Sequence, residues 1–157
     1  MSKQVDQNTL IAGLEPLLVE TFEQVHGIYL DRGTSLFETL ATITSAEASV
    51  PVGGACASLA AQVAHINFYL EVMQRFLSGQ VDDNVDWDVI WNTISGVSPA
   101  EWDTLQARLK ETYQQTLELV RTYEHWDREN AIGGAFAIVV HTAYHLGEIR
   151  QALCWVK

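Results

Sequence analysis

Positive charge is scarce in this sequence: nine lysines and arginines face twenty aspartates and glutamates, a formal net charge of −11. A surface of that sign repels phosphate, which argues against nucleic acid and anionic membranes as partners. The basic residues lie singly, so no local patch reverses the trend. Cysteine is scarce as well. Cys56 and Cys154 have no motif spacing, and no sequence feature lowers either thiol's pKa, so neither is expected as a nucleophile. Two buried free thiols in a reducing cytosol are expected in preference to a disulfide between them. No apolar run reaches the roughly 18 residues that a bilayer span needs. The opening MSKQVDQNTL has neither the basic nor the apolar region of a signal peptide, so a cytoplasmic location is expected. Convincing strand patterns, internal repeats and low-complexity segments are missing too.

What is present is helical periodicity in a chain of 157 residues, 48% of them hydrophobic. That length suits one domain over residues 1–157 with a core of its own. A first helix is expected from about Gln4 to Leu30, with Ile11, Leu14, Leu18, Val25 and Tyr29 as its stripe and Pro16 as a kink or false start. SLFETLATI suits a turn or two of helix, and TSAEASVPVGGA, with Pro and paired Gly, is expected to be irregular. A second helix spans about Ser58 to Ser78, inward through Leu59, Ile66, Leu70, Met73 and Leu77, with Asn67, Glu71, Gln74 and Arg75 toward water. DWDVIWNTI suggests a short helix in the linker. Ser98-Pro99-Ala100-Glu101 reads as a capping box with Pro at the first helical position, opening a third helix to about His125. Its inner stripe is Leu105, Leu109, Tyr113, Thr116 and Val120.

A fourth helix is expected from Ala131 to Val156. Its first turns are apolar on every side, and a helix of that kind is buried all round. In a bundle of four helices the second face needs a cover, either a homodimer partner or long loops. Four long helices define an all-α bundle. The Val81–Val97 linker is long enough to span a helix of about 30 Å, so helix three can cross over and run parallel to helix two.

Five histidines occur, at 26, 65, 125, 141 and 145. His141 and His145 stand i, i+4, about 40° apart around the helix, so both rings leave one face. That spacing lets two imidazoles reach one metal ion. His65 lies mid-helix in an apolar stretch, AAQVAHINFYL, at a depth matching the pair. The competing reading is three core histidines that only pack, each hydrogen-bonded locally. Three clustered rings in a strongly acidic protein gain most by sharing a cation. His26 falls at the edge of its stripe, either at a cavity mouth or in solvent, and His125 is expected at the surface near a helix C-terminus.

HTAYHLGEIRQAL resembles the last helix of the DinB/YfiT-like family, and SLAAQVAHINFYL resembles that family's second helix with its single His. PVGGACASLAAQVAHI and the SPAEW helix start fit as well, so the similarity covers nearly the whole chain. The resemblance implies an up-down-down-up four-helix bundle. It implies a divalent metal, nickel or zinc, held by three histidines that match His65, His141 and His145. It also implies a homodimer. Glu148 departs from the family pattern, where many relatives have Gln; here it would orient a ligating ring, accept a proton, or face solvent.

Three neutral imidazoles leave a divalent ion coordinatively open, as in catalytic sites, and an open position lowers the pKa of water or a thiol. By resemblance the leading expectation is a metal-dependent transferase using a low-molecular-weight thiol. Tyr69, His26 and Glu148 are the candidates for orienting its small-molecule substrate. Two alternatives remain: a hydrolase using metal-activated water with Glu148 as base, and a non-catalytic dimeric metal- or ligand-binding stress-response protein.

Overall fold

A computed structural model of the chain describes residues 6–53, 56–80 and 84–157. Among the described residues it is all helical, with no strand. The helices are α1 (Gln7–Phe22), α2 (Leu36–Leu40), α3 (Ser45–Ala48), α4 (Leu59–Leu77), α5 (Val89–Thr93), α6 (Pro99–Thr122) and α7 (Ala131–Val156). The starts follow side-chain chemistry. Asp6, Ser58 and Ser98 each accept a backbone N–H from the first turn they precede. Ser98 and Glu101 form the reciprocal capping box that the sequence predicts, with Pro99 at the helix start.

The first helix departs from expectation. α1 runs through Pro16 and then stops at Phe22, so Val25 and Tyr29 lie outside it. The cause is Glu20, which is fully buried. Its carboxylate accepts the backbone N–H groups of His26, Ile28, Tyr29 and Leu30 at 2.6–2.8 Å. Those N–H groups would otherwise have continued the helix; an ionised acceptor outcompetes a carbonyl for them. Burial alone would raise this carboxyl's pKa, but the four backbone donors hold it down at about 2.

The segment expected to be irregular also holds a helix. Thr44 and Glu47 build a capping box that nucleates α3, and Ser35 and Glu38 do the same for α2. The Pro51 and Gly53 part of that segment stays non-helical, with Gly53 at φ 66°.

α4 packs against α6 and α7, and α1 packs against the same two helices. Contacts set their relative directions. Gln62 reaches Glu148, while Met73 and Phe76 lie against Gly134, so α4 and α7 run in opposite senses. Arg108 binds Glu71, and Gln74 binds Thr112 and Thr116, so α4 and α6 run in the same sense. Arg121 binds Glu15, and the Tyr113 hydroxyl donates to Glu23 at 2.8 Å, so α1 and α6 run in opposite senses. Between these helices lies the core of Leu14, Leu18, Ile66, Leu70, Leu109 and Ile138. Tyr113 stacks on Phe22 with ring centroids 4.4 Å apart.

Two surface expectations are corrected. Asn67 is buried, and its amide donates to Glu71, a neighbour one turn away that pairs with Arg108 of α6. Cys56 and Cys154 are exposed free thiols, since they fall outside the helix stripes that face the core. On α7, Ile132, Phe136, Val140 and Tyr144 are exposed, so no loop among the described residues covers its second apolar face. No helix among the described residues is long and apolar enough to cross a membrane.

Candidate metal centre

His65, His141 and His145 come together between α4 and α7. One ligating nitrogen from each lies within 4.8 Å of the others. The opposed senses of α4 and α7 bring the middle of one helix to the middle of the other. His65 and His145 are buried, whereas His141 is half-buried. The Nε2 atoms of His65 and His141 face each other at 3.1 Å.

Each ring is held from outside. The Nδ1–H of His145 donates to Gln62 Oε1 at 2.6 Å and to Glu148 Oε2 at 2.9 Å. Both acceptors lack a proton, so the hydrogen belongs on Nδ1 and the lone pair on Nε2. The Gln62 amide in turn donates to Glu148 at 3.2 Å, closing a three-member ring of hydrogen bonds. Tyr69 stacks on His141 with centroids 3.7 Å apart and planes 14° apart. Trp91, from α5, stacks on His65 at 4.3 Å. His65 Nδ1 is buried without a hydrogen-bond partner among the described residues.

Protonation of the cluster is disfavoured. Burial, then the charge of neighbouring imidazoles, lowers His65 and His141 to about 4. Burial also lowers His145, although Glu148 pulls the other way. The three rings are therefore neutral at neutral pH, the form that ligates a metal.

The geometry fits a divalent ion. Two nitrogens bound to a tetrahedral ion at about 2.0–2.1 Å stand roughly 3.4 Å apart, close to the His65–His141 spacing. A hydrogen bond can join two of these nitrogens, but a cation can engage all three. Carboxylate–histidine pairing of the kind made by Glu148 is what holds a ligating ring in one tautomer.

Two of the three expected orienting residues belong to this site. Tyr69 and Glu148 touch ligand rings. His26 does not: it is exposed in the turn after α1, its backbone bound to Glu20, because α1 ends before reaching it. His125 is exposed as expected. Sequence reasoning missed the roles of Gln62 and Trp91. Gln62 stands i−3 to His65, on the same face of α4, which is the signal that could have flagged it. No protein-family model, curated protein or solved structure matches the chain.

Proposed function

We propose that this chain is a divalent-metal-dependent enzyme of the DinB/YfiT-like type, a transferase that joins a low-molecular-weight thiol to an electrophilic small molecule. The observation that carries it is the convergence of three neutral imidazoles, backed by two aromatic rings, the Gln62 amide and the Glu148 carboxylate. The helix directions described above agree with an up-down-down-up bundle, which is the arrangement we assign. Nickel and zinc suit three imidazole nitrogens equally well.

His65, His141 and His145 would hold the ion. When bound, it would supply an open coordination position that lowers the pKa of a thiol or water there. The remaining work belongs to the chain. Gln62 and Glu148 fix the His145 tautomer. Glu148, whose side chain keeps 38% of its surface exposed, connects the cluster to solvent and takes the thiol proton away. Tyr69 and Trp91 cover two ring faces and exclude water. The thiol sulfur then bonds to the electrophilic carbon, and the leaving group departs with the carbon's former bonding pair. A second copy of the chain over the α7 stripe completes the assembly we assign.

The test combines composition with turnover. Purified protein should hold about one divalent ion per chain by elemental analysis, and His141→Ala should lose it and melt lower. Wild-type protein should consume a haloaromatic only when metal and a small thiol are both present. Turnover of an ester without thiol would point to a hydrolase. Metal binding with neither activity would point to a non-catalytic protein.

A further inference from the structure

Beside the histidine cluster, toward the C-terminal end of α4, lies a cavity of about 430 Å³. That is a volume suited to a small-molecule ligand. Val72, Met73, Phe76, Trp87 and Ala137 give it an apolar wall. Gly134 lets Met73 and Phe76 pack directly onto α7 as part of that wall, because a Cβ there would stand 3.0 Å from both. Tyr69 is the partition: it lines the cavity and stacks on His141. Its hydroxyl bonds to no protein group among the described residues, which leaves it free for a ligand in the cavity.

Arg75 is the only charged residue among the described residues lining this cavity. It is half-buried, and its side chain makes no ion pair or hydrogen bond with the described residues. The arginines elsewhere on this face of the molecule are committed. Arg108 pairs with Glu71, and Arg128 caps the Phe76 and Leu77 carbonyls. In a chain of net charge −11, an uncommitted guanidinium at an apolar cavity is where an anion can be neutralised.

From these features we infer that the cavity binds the electrophilic substrate, and that this substrate is an aromatic or similarly flat apolar molecule carrying one anionic group. The apolar body fills the space between α4 and α7, Arg75 holds the anion at the mouth, and Tyr69 faces the end nearest the cluster. The orientation toward the histidines rests on the function proposed above; the binding itself does not.

The experiment is calorimetric titration of metal-free protein with naphthalene-2-sulfonate and, in parallel, with the neutral naphthalene-2-methanol. The sulfonate should bind more tightly. Arg75→Gln should weaken the sulfonate about tenfold and leave the alcohol unchanged. Arg75→Lys, which keeps the charge, should restore most of the loss. Ala137→Phe, which fills the cavity from its α7 wall, should weaken both probes. No sulfonate binding at millimolar concentration, equal sulfonate affinity in wild type and Arg75→Gln, or indifference to Ala137→Phe would each overturn the inference. His145→Ala, whose ring is not the one stacked on Tyr69, separates the two readings: it should bind the sulfonate as wild type does while losing metal. A wild-type protein that holds no metal yet shows the predicted pattern overturns the proposed chemistry and upholds the cavity.

Discussion

At the scale of single residues, the site is a set of rings positioned by polar and aromatic neighbours. His65, His141 and His145 were legible as candidates because i, i+4 spacing and matched helix depth are sequence properties. Their support was not. Gln62 and Glu148 are 86 positions apart, and their contact depends on the register between α4 and α7, which no local pattern encodes. The misplaced candidate, His26, fails for a related reason: its role assumed helical phase across residues where the helix has already ended. Gln62→Leu tests the neighbours directly. It removes one acceptor from His145 Nδ1–H and the donor to Glu148, without touching a metal ligand. Metal affinity should fall about 10- to 100-fold, measured by competition with a chromophoric chelator, while the fold stays intact. Unchanged affinity would mean that Glu148 alone holds the ring.

At the scale of elements, agreement between expectation and structure tracks whether a boundary is set locally. α7 begins and ends where apolar periodicity and flanking polar residues place it, and α6 opens on its capping box. α1 does not end where its pattern does, since the stop comes from Glu20 folding the chain back onto its own carboxylate. That contact predicts a measurable dependence. Glu20→Gln leaves one oxygen acceptor and turns an amide toward N–H donors, so the melting temperature should drop by roughly 5–10 °C. The pH sign follows from the lowered pKa. The carboxyl titrates near 4.5 when unfolded and near 2 when folded, so its contribution is whole above about 4.5 and is lost as pH falls toward 2. Wild type should therefore lose stability across that window faster than Glu20→Gln, in thermal melts at matched ionic strength. Parallel profiles would mean the carboxylate's charge contributes nothing to holding the turn.

At the scale of the whole molecule, the unresolved physical problem is the outer face of α7. Sequence periodicity anticipated a second apolar face but could not choose between a loop and a partner as its cover. In the single chain Ile132, Phe136, Val140 and Tyr144 recur every four residues and stay exposed, Val140 at 66%. Two chains each of charge −11 repel, and this uncharged ridge is where they can meet without opposing acids. A two-fold axis would set the ridge against its own copy, the self-complementary contact of a symmetric dimer. Wild-type protein should then sediment as a dimer at micromolar concentration, and more strongly so as salt screens the repulsion. Val140→Glu should sediment as a monomer with unchanged helicity and metal content, since its side chain is exposed outside the core. A wild type that stays monomeric at high salt would remove the partner, and α7 would then carry an open apolar ridge with no role in assembly.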